Sequence, residues 1–237
     1  DKFDDYYHYE NDFFNLVNTG RQWFGESFSF NQFQEFPLTS QKIDFTEPIY
    51  FSANFAARSS STTSFDIFNN GTLIDNPAIQ PVSNNSSVFY KTSLSENIFY
   101  AKSENLDLQI IYNNNGNSSS QSWLDYFSLN FKSNLIFNGT QFNFRDVLSV
   151  GVENNTRFTV AAQNQNPVIW EVTDPVNPKE IQTISKSSSI EFISSTEILK
   201  EFVVFNNSDN FSPVSIKVIP NQNLHGSQSP DFIIVTH

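Results

Sequence analysis

Ile49-Tyr50-Phe51-Ser52-Ala53-Asn54-Phe55-Ala56-Ala57 decides the fold class. Ile49, Phe51, Ala53, Phe55 and Ala57 fall on one side of an extended chain. Tyr50, Ser52, Asn54 and Ala56 fall on the other. Such alternation predicts a strand with one face on a core and one turned outward. Working outward, Phe28 and Phe30 alternate with Ser27, Ser29 and Asn31, which predicts a strand there too. Phe65 and Ile67 run into Asn69-Asn70-Gly71, with Leu73 beyond, and Asn-Gly predicts a tight hairpin turn because both residues tolerate positive φ. Leu106, Leu108, Ile110 and Tyr112 alternate with Asp107, Gln109 and Ile111. After the polar run 113–121, Phe127, Leu129 and Phe131 point one way. These two stretches fit neighbouring strands of a sandwich.

The second half has the same character. Strands are predicted at 135–138 and 141–146, joined as a hairpin through Asn138-Gly139. Further strands are predicted at 157–162, 168–173, 180–184, 189–193, 201–205 and 214–219. Asp174-Pro175 and Asn177-Pro178 mark a loop, since a residue before proline avoids the α region. One short helix is expected over 11–17, with Phe13, Phe14, Leu16 and Val17 on one side and Gly20 as its C-cap. Phe232-Ile233-Ile234-Val235-Thr236 is continuously apolar, as in a strand buried on both faces of a parallel sheet.

Composition agrees with an all-β chain. Of 237 residues, 26 are Phe, and none is Met or Cys. Flat aromatic rings suit a pleated surface, while the Asn/Ser runs suit loops. The length accommodates one large sandwich or two smaller ones. The expected architecture is a jelly-roll-like β-sandwich over 1–150 followed by a second β-rich lobe over 151–229. The first strand of an α/β domain is expected at 230–237. The lack of Met leads us to expect that residue 1 is a processing boundary.

The same numbers exclude functions. The 13 basic against 25 acidic residues give a formal charge of −12, the reverse of what phosphate binding requires, so nucleic acid is not an expected partner. Without Cys there is no thiol nucleophile and no thiolate metal site. His8, His225 and His237 sit in unrelated contexts, and no Gly-x-Ser-x-Gly element occurs. Asp4, Asp5 and Asp12 lack the spacing of a calcium loop, so a structural calcium is not indicated and no cofactor is expected. Trp23, Trp123 and Trp170 are candidate glycan or partner contacts, because an exposed indole stacks on a sugar face. Asn130 and Arg145 are the polar residues that would accompany them.

Four stretches, in order, resemble the region preceding the peptidase domain in PorU-like sortases of the type IX secretion system, relatives of the gingipain-type cysteine peptidases. The first runs from His8-Tyr9-Glu10 to Gly20-Arg21-Gln22-Trp23-Phe24-Gly25-Glu26, departing from the family at Gln22 and Phe24. The second is Trp123-Leu124-Asp125-Tyr126 with Phe142-Asn143-Phe144-Arg145-Asp146. The third is Val168-Ile169-Trp170-Glu171-Val172-Thr173-Asp174-Pro175, where the family more often has Asp at position 171. The fourth is Asn221-Gln222-Asn223-Leu224-His225 followed by 231–237. The resemblance implies a cell-surface, outer-membrane-associated protein of Bacteroidota. Its parent would remove C-terminal sorting signals from secreted cargo and attach that cargo to lipopolysaccharide. It would work with an outer-membrane partner of the PorV type. The family's catalytic Cys and His would lie beyond His237, so no catalytic residue maps onto this chain. The expected role is a non-catalytic accessory region. The alternatives are a lipopolysaccharide-binding module and an inhibitory pro-region.

Overall fold

The computed structural model describes residues 1–18, 20–40, 42–83, 87–208, 217 and 226. The chain is all-β and sandwich-like, and among the described residues the ladders between its named strands are antiparallel. The first sheet has the order β1 (Lys2–Glu10), β9 (Gln121–Asn134), β3 (Ile49–Arg58), β7 (Lys91–Phe99). The facing sheet has the order β2 (Phe33–Phe36), β8 (Leu108–Asn113), β4 (Thr63–Asn69), β5 (Thr72–Asp75), and β6 (Ala78–Ile79) also pairs with β4. A third sheet joins β10 (Phe142–Phe144), β16 (Phe202–Phe205), β12 (Val168–Glu171) and β13 (Lys179–Glu180). A fourth joins β11 (Asn155–Ala161), β15 (Ser189–Ser195) and β14 (Ile184–Ser185).

The alternation in β3 places its side chains as expected. Ile49, Phe51, Ala53, Phe55 and Ala57 are buried in the core between the first two sheets. Phe55 stacks on Phe65 of the facing sheet with ring centroids 4.3 Å apart, and Phe65 meets Tyr112 at 5.0 Å. Ala56, on the opposite face, is buried with Phe24 and Trp123 in a separate small cluster. Asn70 and Gly71 adopt φ of 46° and 74° between β4 and β5, the positive pair that a two-residue hairpin turn requires. A second large core gathers Phe144, Phe158, Phe192 and Phe202 around Ile169, Ile190 and Val204. It also takes in Phe3, Leu135 and Phe137, so β1, and β9 together with the segment leaving it, reach both cores.

Several expectations are corrected. There is no helix over 11–17. The N–H groups of Phe13 and Phe14 donate to the Phe24 carbonyl at 2.9 Å, and Phe24 N–H donates back to Phe14. That segment therefore folds as an extended arm against 23–25, and the positive φ at Asn18 and Gly20 turns the arm rather than ending a helix. Phe28 is buried, but Phe30 is fully exposed and no strand forms there; Ser27 makes a single bridge to Trp123. β8 and β9 lie in opposite sheets, with Asn115 and Gly116 at positive φ in the crossing loop. Asn138-Gly139 does not close a hairpin. Ile136 makes a parallel bridge to Ala161, while β10 pairs with β16. The strand expected at 180–184 is split, because Glu180 pairs with Trp170 in one sheet and Ile184 with Glu191 in another. The expectations at 214–219 (Lys217 apart), 221–225 and 230–237 lie outside the described residues, as do His225 and His237.

Candidate functional site

The first two family-like motifs meet in space and hold each other. Gly25 N–H donates to the Leu124 carbonyl at 2.7 Å, and Leu124 N–H donates to the Glu26 carbonyl at 3.0 Å. A Cβ on Gly25 would lie 3.1 Å from the Asn11 carbonyl oxygen, so glycine permits this close approach. The buried Asp125 accepts from Gln22 Nε2 at 3.0 Å and Asn54 Nδ2 at 2.8 Å. Tyr90 donates its hydroxyl to Gln22 Oε1 at 2.9 Å. Tyr9 donates to Glu26, and Asn11 Nδ2 donates to both. Burial first, then the bond to Glu26, pushes the Tyr9 phenol well above its ordinary range. These networks give Tyr9, Asn11, Gln22, Glu26 and Asp125 structural roles, while Glu26 Oε2 is buried with no hydrogen-bond partner among the described residues.

A cleft lies elsewhere, on the outward face of the first sheet. Its volume is about 430 Å³. Cross-strand register puts Tyr6 of β1, Asn130 of β9 and Tyr50 of β3 in one row. At about 4.8 Å between strands, the two tyrosines stand roughly 10 Å apart with the amide between them. They are 62% and 53% exposed. One wall is the segment after β10. Asp4 N–H donates to the Arg145 carbonyl at 2.8 Å, and Val147 N–H donates to Asp4 Oδ2 at 2.6 Å. The Arg145 guanidinium sits 5.8 Å from the Tyr6 ring centroid and 3.1 Å from Glu201. A single turn of 3₁₀ helix at Val147–Ser149 follows, capped by the Asp146 carboxylate, and it carries the exposed Leu148.

The charges around this cleft are largely paired. Lys132 Nζ lies 2.7 Å from Asp4 and 3.1 Å from Asp146. Burial alone would lower the Lys132 pKa, but the two carboxylates outweigh it and raise it. Lys2 bridges Asp44 at 2.5 Å and Glu47 at 3.0 Å. The Lys2 hydrogen bond, followed by the hydroxyl and N–H of Thr46, holds the Asp44 carboxyl down to about 2.

The five expected contact residues are thus separated. Asn130 and Arg145 line the cleft together. Trp123 is 5% exposed, packed with Phe24 and Ala56, so its indole presents no free face. Trp23 is half-buried on the arm beside the Phe24 cluster. Trp170 is partly exposed on β12, edge-on to Phe205 at 5.6 Å. Tyr6 and Tyr50, which sequence reasoning missed, supply the cleft's aromatic faces. The same face continues onto the edge strand β7, where Ile98 pairs with Tyr50 and where Leu94 and Ile98, with Tyr100 just beyond, are more than half exposed. Among the described residues no group of three His, Cys, Asp or Glu could hold a metal ion, and no helix is long and apolar enough to cross a membrane. His8 lies 3.0 Å from Glu10 on the exposed face of β1.

No family model matches this chain, and neither does any curated protein. Among solved structures it is similar to dimeric latent PorU from Porphyromonas gingivalis, with a TM-score of 0.77 and 19% identity. An insecticidal δ-endotoxin from Bacillus thuringiensis aligns over 46% of this chain and 19% of its own at a TM-score of 0.35. A cycloisomaltooligosaccharide glucanotransferase from a Paenibacillus species aligns over 73% and 40% at 0.26. The PorU likeness covers 98% of this chain and 23% of the PorU chain. The chain therefore has a PorU-like all-β fold.

Proposed function

We propose that this chain is a non-catalytic accessory region of a PorU-related surface cysteine peptidase. In this reading the parent removes C-terminal sorting signals from type IX secretion cargo and anchors the cargo to lipopolysaccharide. The region positions the catalytic domain and docks an outer-membrane partner of the PorV type. The observation that carries the reading is the near end-to-end PorU-like fold. The absence of cysteine from all 237 residues supports it, because the thiol nucleophile must then be supplied by another part of the parent. The outward apolar side chains of the β7 edge suit docking, since contiguous exposed apolar surface marks contact sites. Edge strands also offer unpaired backbone groups to a partner.

The test is Leu94→Asp combined with Ile98→Asp in the full-length protein. Both positions are exposed, so the fold is expected to tolerate them. Cargo in cells carrying the variant is expected to retain its sorting signal several-fold longer. Cleavage of a short peptide by the purified full-length protein is expected to be unchanged. Unaltered cargo processing would contradict the docking role of β7. Loss of peptide cleavage by a correctly folded variant would contradict the separation of docking from chemistry.

A further inference from the structure

We propose that the Tyr6–Asn130–Tyr50 cleft is a binding site for a neutral saccharide, a short segment of a polysaccharide chain. This goes beyond the accessory role and does not depend on it.

The cleft opens on the face of the sheet at its β1 margin. The backbone of β9 is paired there on both sides, by β1 and β3, and on the edge strand the Asp4 N–H donates to the Arg145 carbonyl and the Tyr6 N–H to Asp5 Oδ1, so recognition comes from side chains. Those side chains are of two kinds. Two exposed phenol rings flank the row, and flat aromatic faces pack against the C–H faces of a pyranose. Between and beside them stand groups that hydrogen-bond in both directions. The Asn130 amide offers donors and an acceptor from an exposed position on β9. Arg145 bonds Glu201 through Nη1 and carries further N–H donors. A polyol with alternating apolar faces and hydroxyl edges matches both kinds.

Charge decides against an anionic ligand. Asp4, Asp5 and Glu47 line the cleft, and Lys132 and Arg145 are already engaged by Asp4, Asp146 and Glu201. A phosphate or sulfate would meet the carboxylates with the cations taken. A neutral ligand meets neither penalty. The volume of about 430 Å³ lies within the roughly 300–1,000 Å³ of small-molecule sites.

Calorimetric titration of the purified chain with maltotriose, mannotriose and chitotriose, alongside mannose 6-phosphate, tests this. At least one neutral trisaccharide is expected to bind. Its affinity is expected to fall about tenfold in Tyr6→Ala and in Tyr50→Ala, as loss of one stacked ring implies. Asn130→Ala is expected to weaken it as well. Leu94→Asp, away from the cleft, is expected to bind as the parent chain does. All of these positions are exposed, and circular dichroism confirms folding in each variant. No binding of any neutral trisaccharide up to about 10 mM would overturn the proposal. So would binding that survives both tyrosine substitutions, or a preference for mannose 6-phosphate. Ile98 stands beside Tyr50 in the cross-strand register, but the cargo-processing assay reads removal of the sorting signal while the titration reads saccharide affinity, so either reading can fail alone.

Discussion

Phe127→Ala is expected to lower the stability of the chain by about 3–5 kcal/mol, the range for truncating a fully buried phenylalanine. Phe127 lies on β9, the strand held on both sides within the first sheet. Its ring is fully buried and stacks on Tyr9 at 5.1 Å and Tyr7 at 5.9 Å, with Phe36 of the facing sheet edge-on at 5.1 Å. Those partners come from β1 and β2, so one ring ties three strands and both layers. The first core is built of rings from opposed sheets, and backbone pairing within the sheets leaves little freedom to collapse into the space. Denaturant unfolding followed by circular dichroism measures the loss. A loss below about 1 kcal/mol would mean that this ring is not the contact between layers described here.

Phe144→Ala is expected to have an effect of the same size in the second core. Phe144 contacts Phe3, Phe142, Phe158, Phe192 and Phe202, the last stacked at 5.2 Å. Replacing the hub leaves a cavity that all five rings line, again a loss of about 3–5 kcal/mol. Phe3 and Tyr9 belong to one strand, yet Phe3 is buried in the second core and Tyr9 packs against the first. The segment leaving β9 likewise carries Leu135 and Phe137 into the second core. The two cores are therefore expected to melt together. Trp170, on the outward face of β12 against Phe205, reports on the sheet that carries the second core, and Trp123 on the cluster beside the first. In Phe144→Ala both fluorescence signals are expected to shift to lower temperature, by roughly 6–20 °C for a chain of this size. A shift confined to Trp170 would show that β1 and β9 do not couple the cores.

Sequence reading recovered the elements whose two faces differ in polarity. β3 is the clearest, with five core residues at every second position, and the Asn-Gly turn after β4 is set by local backbone chemistry. β1 was invisible for the opposite reason. Tyr6, Tyr7 and Tyr9 put aromatic rings on both of its faces, so no alternation distinguishes inside from outside. β7 has the reverse polarity of an ordinary strand. Its inward Ser95 and Asn97 donate to Asp75 and to the Ile74 carbonyl, while Leu94 and Ile98 point outward. The arm at 11–17 carried a helical pattern, but pairing with Phe24 supplies backbone hydrogen bonds that a short isolated helix could not match.

The candidate site was half legible. Asn130 and Arg145 are expected as the polar companions of the tryptophans, and they do share a cleft. Tyr6 and Tyr50 are not expected, because they join Asn130 through the register of two strand pairs separated by long stretches of chain. Register of that kind is fixed by the whole sheet and not by local pattern. Trp123 misled in the other direction. Its residue type suggested an exposed stacking surface, and packing against Phe24 and Ala56 closes it.

Cleavage of a peptide bearing a C-terminal sorting signal, measured for the isolated chain and for the full-length protein before and after thiol alkylation, probes the scaffold role most directly. The account predicts cleavage by the full-length protein alone, abolished by alkylation. Turnover by the isolated 237-residue chain, or full-length activity that survives alkylation, would contradict it.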